Sequence, residues 1–239
     1  MKYLIGIQPT GKITLGNYLG CLSKGIRLQN EGHNVVFLIA NYHSMTTDSY
    51  TDVTEMELKK LGCKNVVKQT PEYTELFFKL CCKLNLPTLL KMPQYKDKKD
   101  NVEYDMGLLL YPVLMAADII INDPDIVIIG KDQVPHLDLA NDISKRFGGR
   151  EFKYEFGDVD KIMSISDPSK KMSKSLGDKH VIYIFDEDYH KKLKKAVTTD
   201  DGLENLYKIA NSIGIFEKFN SNLDLKSKIS ERLTEMFGS

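Results

Sequence analysis

Short apolar runs alternate with longer stretches whose apolar residues recur every three or four positions, and this alternation holds to about residue 180. Residues 2–7 form the first run; Gly6, Pro9 and Gly11 bound it, which predicts a buried strand stopping at a turn. Thr14-Leu15-Gly16-Asn17 then opens a helix reaching about Gln29. A second apolar strand over residues 34–40 runs into Asn41-Tyr42-His43-Ser44. Residues 51–62 are expected to be helical with Thr51-Asp52 as cap, 65–68 a short strand and 71–84 a helix. A long apolar helix is expected over 102–122 and a strand over 126–129, ending in Gly130-Lys131-Asp132-Gln133. Past a turn at Asp167-Pro168-Ser169, residues 189–197, 202–213 and 225–237 read as helices. Strands alternating with helices predict an α/β fold, a mostly parallel sheet with helices on both faces, followed by a small helical appendage.

The carboxyl ends of parallel strands are where ligands sit in such folds, so the residues just beyond each strand are the first candidates. Thr14 to Asn17 at a helix start suits a polyphosphate, or is an ordinary strand–turn–helix with a threonine cap. His43 lines a pocket or is structural. Asp132 takes a ribose hydroxyl, caps the following helix, or does both, with His136 one helical turn on. Within the 102–122 helix, Tyr111, Met115 and Asp118 lie four and then three residues apart and so share a face. Leu108-Leu109-Leu110, Ala116-Ala117 and Ile119-Ile120-Ile121 surround them, which puts Asp118 inside. A buried carboxylate is costly unless paired, either to a ligand N–H or O–H or to an internal arginine or backbone.

Lys171-Met172-Ser173-Lys174-Ser175 alone is a solvated basic loop; paired with the glycine-punctuated first turn, which suits a polyphosphate, it becomes a candidate phosphate-facing loop. The charged stretch from Gln94 to Asp100 is a solvated loop, or else Lys96 and Lys98 neutralise a leaving pyrophosphate.

Lys+Arg and Asp+Glu stand at 33 each, so any nucleic acid must be met through local patches and not an overall field. No apolar run has membrane-spanning length and the start reads as a strand, so a soluble, cytoplasmic protein is expected. Cys21, Cys63, Cys81 and Cys82 include no C-x-x-C pair, which points to reduced thiols and no protein-bound metal. The chain has no tryptophan, no internal repeat and no low-complexity segment.

The motifs occur in one order: Gly6-Ile7-Gln8-Pro9-Thr10-Gly11, Thr14 to Asn17, Tyr111 to Asp118, Gly130 to Gln133 with His136, Met163-Ser164 to Asp167-Pro168, and Lys170 to Ser175. In that order they resemble the bacterial-type tryptophanyl-tRNA synthetases of class I, colinearly to about residue 212. The resemblance implies a Rossmann-like catalytic domain over 1–180, a helical insertion at about 60–115 that forms a homodimer contact, and a reduced helical region over 181–239. It implies that Gln8, Pro9, Thr10, Gly16 and Asn17 hold ATP from one side and that Gly130, Lys131 and Asp132 contact adenosine. Ile162 and Met172 would pack near the adenine, with Lys171, Ser173, Lys174 and Ser175 on the phosphates. Lys171, Lys174, Ser175 and Asn17 would form the catalytic set, and Mg²⁺ would enter with ATP. Asp118 would accept the indole N–H of L-tryptophan, with Leu4, His43, Met115, Val127 and Ile129 around the ring. Tyr111 and Gln133 would face the ammonium or carboxylate end, and the product would pass to tRNA(Trp).

Leu4 offers a tyrosine phenol no hydrogen bond, which favours tryptophan, although an aromatic ring is common there in the tryptophan enzymes. Asn41-Tyr42 replaces a more acidic or amide-rich pair, and the helical region after the lysine loop is short. The alternatives are a tRNA-independent tryptophan-activating or tryptophan-sensing paralogue, tyrosine as substrate, or a ligase adenylating another small carboxylate.

Overall fold

The computed structural model describes residues 1–46, 49–93 and 106–238. Its strands are β1 (Lys2–Ile7), β2 (Asn34–Ile39), β3 (Val66–Lys68), β4 (Ile126–Ile129) and β5 (Lys153–Phe156). They form one parallel sheet in the order β3-β2-β1-β4-β5. Leu4 lies in register with Val36 on one side and Val127 on the other. The inner strands β1, β2 and β4 are near-continuous apolar runs, since a strand covered on both faces has no solvent side on which to place polar residues, whereas β5 at the edge, Lys153-Tyr154-Glu155-Phe156, is polar and largely exposed.

The helices are α1 (Leu15–Asn17), α2 (Ser23–Asn30), α3 (Val53–Lys60), α4 (Pro71–Cys81), α5 (Leu86–Leu90), α6 (Met106–Asn122), α7 (Val134–Arg146), α8 (Tyr189–Lys194), α9 (Asp200–Ser212) and α10 (Asn222–Phe237). The expected first helix to Gln29 is interrupted: a π-helical turn, Tyr18–Leu22, separates α1 from α2. A Cβ at position 157 would lie 1.3 Å from the Gly20 carbonyl oxygen of that turn, so only glycine fits there. The helix expected over 71–84 stops at Cys81, and a separate short helix with proline in its first turn follows. Among the described residues no helix is long and apolar enough to cross a membrane.

The chain divides into two compact units. The first, Met1–Gly11 with Gly25–Phe156, contains the whole sheet. Gly25 on α2 lets that helix lie directly on the sheet, since a Cβ there would come within 2.2 Å of Ile5 Cδ1. Strand order reverses direction between β1 and β4, and their carboxyl ends carry Gln8-Pro9-Thr10 and Gly130-Lys131-Asp132. This is the topological switch point, where open α/β sheets take ligands.

The second unit comprises Lys12–Lys24 and Gly157–Ser239. Thr14 bridges Tyr183 and Met163 bridges Lys171, both antiparallel. Ile13, Leu15, Ile162, Val181 and Ile182 are buried beside these bridges in sequence, and the last helices add the buried Leu206, Leu225, Ile229 and Leu233. Helix α8 ends at Lys194 and not at Val197: the buried Lys226 donates to the carbonyls of Lys194 and Ala196.

Candidate active site

Two groups of predicted residues assemble, one in each unit. In the first unit, α6 brings Tyr111, Met115 and Asp118 to one face, as the spacing requires. Asp118 is 5% exposed, and its partner is neither arginine nor backbone but His43 and Gln69, which are as deeply buried. His43 Nε2 lies 3.0 Å from Asp118 Oδ2, and Gln69 Nε2 donates to Oδ1 at 2.5 Å. Burial pushes the Asp118 carboxyl above the ordinary carboxylate range, and the bonds from His43 and Gln69 oppose that rise. Leu4, Val127 and Ile129 are buried in the same apolar cluster, with the half-buried Met115 packed against it.

One helical turn before Met115, a second chain of bonds begins. Gln133 Nε2 donates to Asp132 Oδ2 at 2.9 Å, which turns Gln133 Oε1 toward His136 Nδ1 at 2.8 Å. A carbonyl oxygen only accepts, so Nδ1 carries the proton and Nε2 is left to accept from the Tyr111 hydroxyl at 3.0 Å. Burial keeps His136 neutral, lowering its pKa to about 4 against the pull of Asp132. It also pushes the Tyr111 phenol up to about 12. With its proton committed to His136, Tyr111 presents oxygen lone pairs, an acceptor suited to an ammonium.

Asp132 is not a helix cap. Gly130 caps the 3-10 turn Lys131–Gln133, and Gln133 stands at the cap of α7. Asp132 and Lys131 are exposed at the strand end, as is Gln8, whereas Pro9 is buried and Thr10 half-buried. A Cβ on Gly130 would come within 2.8 Å of Asp132 Oδ1, so the carboxylate lies over the glycine.

In the second unit, Gly16, Ile162 and Met172 meet. The Gly16 Cβ position is 3.8 Å from Ile162 Cβ and 3.9 Å from Met172 Cβ. Thr14 and Asn17 form a capping box: Asn17 N–H donates to Thr14 Oγ1 at 3.0 Å, and that hydroxyl donates to Asn17 Oδ1 at 2.7 Å. The box consumes the amide oxygen, so Asn17 presents its NH₂ side, the side that can donate to a phosphate. The lysine loop leaves the Met163–Lys171 bridge, places Lys174–Leu176 in a 3-10 turn and reverses at Gly177, whose φ of 97° suits glycine. Ser173 and Ser175 hydroxyls lie 2.9 Å apart, Lys171 and Ser175 are exposed, and Lys174 is half-buried. Ser164, fully buried, accepts from the N–H groups of Ser166 and Asp167 and therefore donates to His180 Nδ1, fastening the loop's far end. Lys96 and Lys98 lie outside the described residues.

Sequence reading missed Gln69 and Asn205. Gln69 follows β3 directly, so the rule that favours strand ends could have found it. Asn205 on α9 clamps the Met163 backbone, accepting from its N–H at 2.8 Å and donating to its carbonyl at 2.9 Å. No signal in one sequence marks that residue. A cavity of about 210 Å³ lined by Gly214–Glu217 and one side of α10 contains none of the predicted residues.

The family described as "tRNA synthetases class I (W and Y)" matches residues 1–237. The chain is 37% identical to the tryptophan–tRNA ligase of Clostridium perfringens over 84% of its length and 68% of that protein's. It is 34% identical to the corresponding ligase of Malacoplasma penetrans over 99% of its length and 79% of that protein's. Among solved structures, tryptophanyl-tRNA synthetase from Mycoplasma pneumoniae superposes with a TM-score of 0.84 at 29% identity, covering 99% of this chain and 85% of that one. The Campylobacter jejuni enzyme, complexed with ADP and tryptophan, superposes at 0.75 with 27% identity, covering 99% and 86%.

Proposed function

Because the chain belongs to the class I tRNA synthetases of the tryptophan and tyrosine branch, we propose that it activates L-tryptophan with ATP and transfers it to tRNA(Trp). The observation that carries this reading is on α6, where Tyr111 and Asp118 share a face and each meets a different hydrogen-bond chain. The tyrosine oxygen accepts from the substrate ammonium. Seven residues on, the carboxylate accepts from the indole N–H inside an apolar surround that suits the ring. Gln133, Leu4, His43, Met115, Val127 and Ile129 complete the amino-acid end.

ATP is assigned to Gln8, Pro9, Thr10, Gly16 and Asn17, to Gly130, Lys131 and Asp132, and to the Ile162–Met172 pair and the Lys171-to-Ser175 loop. The tryptophan carboxylate attacks the α-phosphorus in line and pyrophosphate leaves. This displacement needs alignment and charge stabilisation, not a protein nucleophile. Lys171 and Lys174 supply positive charge on a loop fastened at both ends, Asn17 donates its amide, and Ser175 adds a hydroxyl. Mg²⁺ would enter with ATP on its phosphates, where it would neutralise charge. A terminal ribose hydroxyl of the tRNA then attacks the acyl carbonyl and AMP leaves.

The reading includes the catalytic domain over 1–180, the reduced helical region over 181–239, a cytoplasmic location and a homodimer. Exposed Phe78, Leu86, Leu90 and Met106 in the helical stretch between β3 and β4 support the dimer contact. The test is ATP–pyrophosphate exchange. Exchange dependent on tryptophan and at least about a hundredfold weaker with tyrosine is expected, since Leu4 offers a phenol no hydrogen bond. Equal exchange with both amino acids, or none with tryptophan, contradicts the reading.

A further inference from the structure

Asp118 is held from two neighbouring strand ends, and the second hold has no role in the reading above. Gln69 is 4% exposed, and each of its polar groups is engaged. Its side-chain amide donates to Asp118 Oδ1 at 2.5 Å and accepts the Tyr42 N–H at 2.7 Å. Its backbone N–H donates to Asn41 Oδ1 at 2.8 Å, and its carbonyl accepts from Asn41 Nδ2 at 3.4 Å. Asn41 and Tyr42 follow β2, and Gln69 follows β3, its parallel neighbour. The sheet itself therefore delivers a three-residue frame that turns one amide donor toward one carboxylate oxygen.

We infer that Gln69 is a positioning residue for amino-acid selection: it fixes the rotation of the Asp118 carboxylate so that the oxygens meet a ligand N–H in one orientation. This inference rests on the assignment of Asp118 to the indole. Two donors, His43 on Oδ2 and Gln69 on Oδ1, pin the group at both ends. With one alone, the carboxylate could turn about its bond to Cβ. The remaining polar neighbours act from behind. Asn122 donates to the Asp118 carbonyl and to the Tyr73 hydroxyl, and Tyr111 meets His43 edge-on at 6.1 Å between ring centroids.

The substitution Gln69→Glu keeps the shape and the acceptor for Tyr42 while setting a second carboxylate against Asp118. Two carboxylates that close share a proton, and the protonated glutamic acid can donate as the amide did. The chain lacks tryptophan, so the ligand's own indole fluorescence reports binding. In Q69E, affinity for tryptophan is expected to fall about tenfold at pH 8 and to return to within about threefold of wild type near pH 6, an acid rescue absent from wild type. Q69M, which removes the donor without adding charge, is expected to bind about tenfold more weakly at both pH values, with the KM for ATP unchanged. A residue acting only in folding would show neither the acid rescue nor the unchanged KM for ATP.

Binding within about twofold of wild type in both variants, or an equal loss for Q69E at both pH values, overturns the inference. Should Q69E not fold at pH 8, Q69M carries the test: weaker tryptophan binding with unchanged ATP use supports the inference, and unchanged tryptophan binding overturns it. Wild-type protein that neither binds tryptophan nor supports exchange overturns the Asp118 assignment, and the inference with it. Exchange in the wild type with unmoved variants overturns the inference alone.

Discussion

The Tyr111 hydroxyl donates to His136 Nε2 across 3.0 Å, and the direction of that bond is set further along the same chain of bonds, where Gln133 Nε2 donates to Asp132. A carboxylate on the surface thereby decides which face of a half-buried tyrosine a ligand meets. Tyr111→Phe removes that face. A hydrogen bond to a charged partner is worth about 1.5–3 kcal/mol, so kcat/KM for tryptophan is expected to fall between about tenfold and a hundredfold, with the KM for ATP nearly unchanged. Steady-state exchange measures both.

His136 makes the fold sensitive to acid. Its ring takes a proton near 6.5 when unfolded and only near 4 when folded. Between those values the unfolded chain binds more protons, so stability falls as pH drops through that window and the contribution is complete above it. His136→Gln should flatten the dependence of Tm on pH in that window. A slope identical to wild type would show that the ring is solvated.

Asp118→Ala leaves His43 and Gln69 as buried donors with no carboxylate between them. Unsatisfied buried groups cost about 1–3 kcal/mol each, so a loss of about 2–6 kcal/mol in urea unfolding is expected, together with loss of tryptophan-dependent exchange. A fully stable D118A would mean the two donors find other partners.

Lys174→Ala is expected to lower the rate of adenylate formation by about two orders of magnitude or more while tryptophan affinity stays within about twofold, because the ammonium acts on charge that develops only in the transition state. Single-turnover rates decide it.

The sheet and the placement of most candidates were legible because both rest on local pattern. Apolar runs marked β1 to β4, strand ends marked the loops, and the spacing of Tyr111, Met115 and Asp118 marked a shared face; β5 was not legible, because Lys153-Tyr154-Glu155-Phe156 is a polar, exposed edge strand with no apolar run. Partners were not legible. The pairing of Asp118 with Gln69 joins the ends of β3 and α6 across 49 residues of chain, and sequence alone could offer only a ligand, an arginine or backbone. The π turn at Tyr18–Leu22 was invisible for a similar reason: its Gly20 carbonyl lies close against Gly157, an approach no periodicity reports. The Asn205 clamp on Met163 spans 42 residues and ties α9 to the base of the lysine loop.

The most direct test of the account is transfer of labelled tryptophan to a tRNA(Trp) transcript, with K174A and Y111F run beside wild type. Wild type is expected to charge the transcript, K174A to charge it far more slowly at saturating tryptophan, and Y111F to recover as tryptophan is raised. A folded wild-type chain that transfers no tryptophan, or a K174A variant that charges at the wild-type rate, would contradict the account.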